Sequence, residues 1–249
     1  MTTVGDILKI ALEIAPIELA EEWDNPGLLA GSENRAVTRA LVALDLTHGV
    51  LREAKELGAE LIVTHHPILF RARRNLREDD FEGNLLCDLI RGNFALIALH
   101  TNYDSAPNGL NDALAEAIGL TDVVPLEHGL RIGCYRGGDI VKTCEGALHT
   151  KCRVYGRTEN IRRVAVCGGA GSDFAMIAKQ AGADAYVTGE VRHHHALEAA
   201  HANLTLIEAG HLETERVAVK ALKNALQMRA DALQWNVCFM ESRNCPFGA

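Results

Sequence analysis

The sequence predicts an α/β fold of two similar βαβ-containing lobes derived from an internal duplication. The first observation behind this is a repeat. Residues 39–64, RALVALDLTHGVLREAKELGAELIVT, align without a gap to residues 163–188, RVAVCGGAGSDFAMIAKQAGADAYVT, and eight of 26 positions are identical. That is several times the chance rate and indicates duplication, although two copies do not make a solenoid. The second observation is a common plan. In each copy an apolar strand (40–44; 163–167) leads through a loop to a helix (about 48–57; 172–181) and then to a second strand (60–64; 184–188). Gly58 and Gly182 close the two helices, where a left-handed residue is favoured. A βαβ crossover of this kind favours parallel pairing. The third observation is that the likeness runs on. NFALIALHTNYD (93–104) and NLTLIEAGHLETE (203–215) are each a strand running into a histidine, and with one inserted residue His100-x₃-Asp104 matches His211-x₃-Glu215.

The remaining elements follow along the chain. Residues 5–14 have the spaced apolar positions of an amphipathic helix, and residues 109–118, NGLNDALAEAIG at their opening, read as another. Residues 121–160, with scattered glycines and cysteines, read as connecting structure between the halves. GGAGSD (168–173) is a glycine-rich turn between strand and helix that lacks the P-loop lysine and the full G-x-G-x-x-G. It reads either as a tight turn or as a weak anion cradle. Residues 213–233 form a long amphipathic helix, and WNVCFME (235–241) is β-like and free to join either lobe. The expected division is therefore 1–125 and 126–249, with the strand near 235–245 able to return to the first lobe.

Composition narrows the classes. A chain of 249 residues with 48% hydrophobic and 23% charged residues is an ordinary globular protein. Its apolar runs fall far short of the roughly 20 residues a membrane helix needs. The opening, MTTVGDILKIALEIAP, lacks a basic n-region and does not read as a signal peptide. A formal charge of −8 makes nucleic acid an improbable partner, because nonspecific binding rests on clustered Lys and Arg. RARRNLRE (71–78) is the local exception, read as a solvated loop or as a dock for an anionic substrate. Seven cysteines without a C-x-x-C indicate neither a disulfide framework nor a thiolate zinc site. Reduced thiols and a cytoplasmic location are expected.

One stretch raises the chemical question. In IVTHHPILF (62–70), His65 and His66 follow a strand, and Pro67 cannot donate to a ladder, so both lie on the exit from the sheet. In parallel α/β sheets ligands collect beyond the carboxyl ends of strands, where His100, Asp104, His211 and Glu215 also fall. Four imidazoles and two carboxylates exceed the needs of one tetrahedral zinc and suit two ions bridged by a carboxylate and a water. A donor set of nitrogen and oxygen without sulfur fits zinc, manganese, iron or cobalt and does not choose among them. The candidate ligands are thus His65, His66, His100, Asp104, His211 and Glu215, and His100 could instead orient a ligand from behind. Glu190 stands where the first repeat has His66, in a general acid/base or outer role or as a surface carboxylate. The three rings of HHHAL (193–197) would fan out on a helix, so they are structural unless one, His194, reaches the site.

Several blocks in order, AEEWDNPGLLAG (20–31), VTHHP (63–67), LHTNYDSAPNGLN (99–111), GGAGSD, ADAYVTGE (183–190) and AGHLETE (209–215), make a specific signal. In these the chain resembles the dinuclear-metal family known as GTP cyclohydrolase I type 2, or Ngg-interacting-factor-three-like. That resemblance carries the metal ligands onto His65, His66, Asp104, His211 and Glu215, with His100 nearby. It further implies a two-lobed α/β fold with two divalent ions per subunit in the cleft between the lobes, and a ring-shaped homohexamer. Trp23 and Asn25 of WDNPG would lie near the cleft. The chain departs from many relatives in having Glu190 in place of an aspartate and a histidine triplet in place of a single ring. Its short connecting region leaves no room for the inserted domain of longer members.

Two functions follow as expectations. The first is a metal-dependent hydrolase in which a metal-bridging hydroxide attacks an electrophilic carbon or phosphorus, with Glu190 and His100 shuttling protons. The resemblance makes the substrate GTP, with ring opening at C8 and loss of formate. The same ligands would serve a phosphoester or another nucleotide. The second is a non-catalytic metal-binding oligomeric scaffold or regulator, which the open, sulfur-free ligand set disfavours.

Overall fold

The structure, a computed structural model, describes residues 1–247 as two compact α/β units: Met1–Ala106 with the chain from Val219 onward, and Pro107–Ala218. The first unit opens with α1 (Val4–Ile14), started by a capping box in which Thr3 and Asp6 satisfy each other's backbone N–H groups. Then follow β1 (Gly27–Ala30), β2 (Arg39–Ala43), α2 (His48–Leu57), β3 (Leu61–Thr64), α3 (Phe81–Arg91), β4 (Ala95–Ala98) and the short α4 (Thr101–Ser105). Strands β2, β3 and β4 are parallel, and β1 lies antiparallel to β4. Their register sets Ala43, Thr64 and Ala98 in one row. The segments that follow, Leu44–Asp45, His65–His66 and Leu99–His100, therefore leave the sheet side by side. α3 has no counterpart in the sequence reading; Asp80 starts it by accepting the Gly83 N–H at 2.7 Å.

The second unit contains α5 (Leu110–Ala117), β5 (Thr121–Pro125), β6 (Arg131–Cys134), α6 (Ile140–Leu148), β7 (Arg153–Tyr155), β8 (Arg163–Cys167), α7 (Ala175–Gln180), β9 (Ala185–Thr188), α8 (His193–His201) and β10 (Thr205–Glu208). Its sheet order is β5-β6-β8-β9-β10-β7, with β8, β9 and β10 parallel. Cys167, Thr188 and Glu208 share the last row, repeating the plan of the first sheet. Successive strand residues alternate between two buried faces. Val164, Val166 and Val187 enter one apolar cluster, while Ala165, Cys167 and Tyr186 enter the other. A sheet covered on both sides explains strands that read as unbroken apolar runs.

Helix α9 (His211–Ala232) contains the second boundary between units, after Ala218, and β11 (Cys238–Glu241) pairs in parallel with β2. The first sheet is thus β1-β4-β3-β2-β11.

Two expectations require correction. The division falls after Ala106 and again after Ala218, not at 125/126. The reason is that α5 packs on β6 and β8, and β5 pairs with β6. Nor is 121–160 a connector: it supplies β5, β6, α6 and β7. Strand β6 runs antiparallel to β8 and β7 antiparallel to β10, so these short pieces cover both edges of the parallel core. Strands of three to five residues interrupted by left-handed turns at Asp122 and His128 leave no readable period.

Candidate metal centre

In the first unit the row of strand ends delivers three imidazoles to one place. The backbone N–H groups of both His65 and His66 donate to the Leu44 carbonyl, at 3.1 and 3.0 Å, tying the exit of β3 to that of β2. The Thr64 hydroxyl donates to the His66 carbonyl at 2.9 Å. Both rings are thereby turned to one side, which a continuing strand would forbid. The rings of His65, His66 and His100 lie with centroids 4.9 to 5.5 Å apart. One nitrogen from each falls within 4.8 Å of the others.

What fixes these rings is the partner of each Nδ1. His65 Nδ1 is 2.8 Å from the Leu99 carbonyl oxygen, His66 Nδ1 2.8 Å from Asp45 Oδ1, and His100 Nδ1 2.8 Å from Asp24 Oδ1. A carbonyl or carboxylate only accepts, so each Nδ1 carries a proton, and in the neutral ring the lone pair then sits on Nε2. This is the arrangement that metal-binding histidines have. Asp104, on the single turn of α4, comes within 3.5 Å of His65 Nε2 through Oδ1. That turn is anchored by Asn102, wholly buried, which accepts the His100 N–H and donates to the Ala15 carbonyl.

Asp24 also receives the backbone N–H and hydroxyl of Thr101, at 3.0 and 2.5 Å. Burial pushes its carboxyl up, but the hydrogen bonds from His100 and Thr101 and the charge of His100 outweigh it, lowering the carboxyl to about 2. Asp24 is therefore ionised at any physiological pH and holds the His100 ring as a fixed acceptor.

The second unit builds a smaller cluster on the same plan. β10 ends, Gly210 turns with φ near +90°, and His211 begins α9. On the helix His211 and Glu215 share one face, with His211 Nε2 3.1 Å from Glu215 Oε2. Behind the ring, Nδ1 of His211 is 2.6 Å from Glu190 Oε1, so Glu190 orients the ring. Glu215 is 5% exposed.

The glycine-rich turn packs against this pair. A Cβ on Gly169, whose φ is near +63°, would collide with Glu215 Oε1 and approach His211 Nε2 to 3.2 Å. Its three glycine amides are spent on protein groups: Gly168 N–H on Asn111, Gly169 N–H on Thr214 and Gly171 N–H on Thr188. Of the two readings of GGAGSD, the tight turn is the one this hydrogen bonding supports. In the triplet on α8, His195 meets Ser172 Oγ at 3.0 Å and Asp173 Oδ1 at 3.3 Å, and the His194 ring lies against it.

Sequence reasoning missed Asp24, Asp45, Gly169 and Thr214. Asp24 lies in WDNPG between Trp23 and Asn25. Asp45 and Gly169 occupy the same position of the repeat, at the exit of the first strand of each copy. That position was the available signal.

The donor set fits hard or borderline divalent ions: imidazole Nε2 atoms with their tautomers fixed, joined by carboxylates and no thiolate. Fold and side chains together define a class, a two-lobed α/β protein with histidine–carboxylate groups that can hold metal at its strand ends. A family model described as Duf34/NIF3 (NGG1p interacting factor 3) matches residues 2–246, and the chain belongs to that family. A Clostridium perfringens protein described as a GTP cyclohydrolase 1 type 2 homolog is 34% identical, the match covering 92% of this chain and 93% of that one. A Helicobacter pylori protein described as GTP cyclohydrolase 1 type 2 is 31% identical over 87% of this chain and 88% of its own. The crystal structure of a Staphylococcus aureus hypothetical protein superposes with a TM-score of 0.93 at 27% identity, covering 100% of this chain and 99% of that one.

Proposed function

We propose that this protein is a metal-dependent hydrolase of nucleotides, in which His65, His66, Asp104, His211 and Glu215 hold two divalent ions per chain. The observation that carries the reading is the locking of Nδ1 on His65, His66 and His211 by an oxygen acceptor, which orients each ring with Nε2 as the donor atom a metal would use. Structural histidines have no need of a uniform tautomer. Zinc, manganese, iron or cobalt bound there would act as a Lewis acid and make water acidic enough to deprotonate near neutral pH.

The chain's own residues would do the rest. Asp45 and the Leu99 carbonyl hold the His66 and His65 rings, and Glu190 holds His211. His100, backed by ionised Asp24, is suited to take up and return a proton at Nε2, since the carboxylate stabilises the imidazolium. Glu190, exposed to water, is proposed to exchange protons there as well as to orient His211. GTP is the first substrate to test because a relative at 31% identity is described as GTP cyclohydrolase 1 type 2 and one at 34% as a homolog of it. A ring-shaped homohexamer, implied by the sequence resemblance, belongs to the same proposal and is checked by light scattering on the eluting protein.

The test is to load purified protein with each candidate metal, count ions by elemental analysis and assay GTP, phosphoesters and cyclic nucleotides. Turnover that needs metal and disappears in His66→Ala and Glu215→Ala supports the reading. Turnover that survives in variants stripped of metal overturns it. Tight metal with no turnover of any substrate would favour a scaffold.

A further inference from the structure

Within the first unit, a cavity of about 680 Å³ is lined by Asp24, the residue that holds His100, and has a size that suits a small-molecule ligand. Two aromatic rings form one wall. Trp23 and Phe70 meet edge to face, with centroids 5.5 Å apart and planes at 61°, and each lies near 6 Å from His100. Both are open to solvent, Trp23 by 57% and Phe70 by 44%. Exposed aromatic faces converging on a cavity are a surface for another planar ring.

The basic loop, which continues from Phe70, lines the rest of the cavity. Arg73 is bound to Asp80 and Glu82 and so pins the loop in place. Asn25 ties it to the wall of Trp23 by donating to the Leu69 carbonyl at 2.7 Å. Arg71 and Arg74 line the same cavity, are exposed, and form no ion pair among the described residues. In a chain of net charge −8, two uncommitted guanidiniums on a braced loop make a local positive site.

We infer that this cavity binds a nucleoside phosphate, its base stacked in the angle between Trp23 and Phe70 and its phosphates on Arg71 and Arg74. The inference rests on the nucleotide reading of the metal centre and supplies the residues that would recognise the substrate. Ring and anion are required together. An apolar ligand would leave the arginines unused, and a simple anion would leave the aromatic corner empty.

The test uses full-length Trp235→Phe protein, in which Trp23 is the remaining tryptophan and is excited selectively, freed of metal by chelator so that binding is read without turnover. GTP and ATP should quench Trp23 emission and shield it from acrylamide. Trp23→Leu in otherwise natural protein, followed by calorimetry, should weaken both by roughly 5- to 100-fold, the range of one base–aromatic stack. The Arg71→Gln/Arg74→Gln pair should weaken GTP by at least tenfold and leave guanosine unchanged. Tripolyphosphate binding as tightly as GTP, or acrylamide failing to reach Trp23 in the free protein because another copy covers it, would overturn the inference. The two proposals fail separately. Nucleotide binding without metal-dependent turnover sinks the hydrolase and leaves the pocket. Turnover with a KM unchanged in Trp23→Leu and in the double arginine variant sinks the pocket and leaves the hydrolase.

Discussion

Single residues decide how the imidazoles are held. Asp45 accepts from His66 Nδ1 at 2.8 Å, so its carboxylate fixes the tautomer and raises the basicity of Nε2. Asp45→Ala should weaken metal binding by about 10- to 100-fold in competition with a chelator, with the far-ultraviolet circular dichroism unchanged. Equal affinity in the variant would mean that His66 is not a ligand. Residues far from the cluster have their own chemistry. Burial pushes the Cys144 thiol up to about 12, with neighbouring Cys152 adding to it, from an ordinary value of 9.0. Between pH 9.0 and about 12 the unfolded chain loses this proton while the folded one keeps it. The unfolded state then binds fewer protons, so stability is complete below 9.0 and falls as pH rises. Urea midpoints at pH 8 and pH 10 should show a loss about 1 kcal/mol smaller in Cys144→Ala than in the natural protein. A loss of the same size in both would refute the shift.

At the scale of elements, the register of each parallel sheet does the assembling. One row of strand ends places Asp45, His65, His66 and His100 together, and the matching row in the second sheet places Gly169, Glu190 and His211. The turn after β8 has to pass close under the first turn of α9, which is why Gly169 carries no side chain. Gly169→Ala adds a methyl that collides with Glu215 in a backbone conformation disfavoured for L residues. The expected cost is about 1–2 kcal/mol, a fall in melting temperature of roughly 2–8 °C at this chain length. Metal stoichiometry should drop as well. A variant that melts earlier yet keeps its full metal content would show that the turn supports the fold but not the ligands. The helix α4 is too short to hold Asp104 unaided, and Asn102 anchors it. Asn102→Ala strands the buried groups it satisfies, at about 1–3 kcal/mol, measurable as a shifted urea midpoint.

For the whole molecule, metal should be a stabiliser, because the unfolded chain offers no such preformed sites. Metal at 100 times its dissociation constant adds about 2.7 kcal/mol per site, or roughly 5–10 °C of melting temperature in a chain of this length. Chelator treatment should remove that increment from the natural protein and leave His66→Ala and Glu215→Ala unmoved. If the natural protein melts identically with and without metal, the folded state does not hold the ions preferentially. Among the described residues no helix is long and apolar enough to cross a membrane.

The sequence alone determined the periodic part: the repeated strand–helix–strand units, the glycines that end helices, and the histidines and carboxylates placed after strands. These are local properties, written in neighbouring residues, and they also carried the family resemblance. Only tertiary structure decided the rest. It moved residues 107–125 into the second unit, with β5 joining its sheet, returned β11 to the first sheet and made strands of a supposed connector, because an open sheet edge takes whatever segment can pair with it. It also chose the partners behind the rings, Asp24 for His100 and Glu190 for His211, which lie 76 and 21 positions away in the chain. The repeat marked Glu190 as a candidate but not which ring it holds, because hydrogen bonds reach about 3 Å through space and carry no mark of sequence separation.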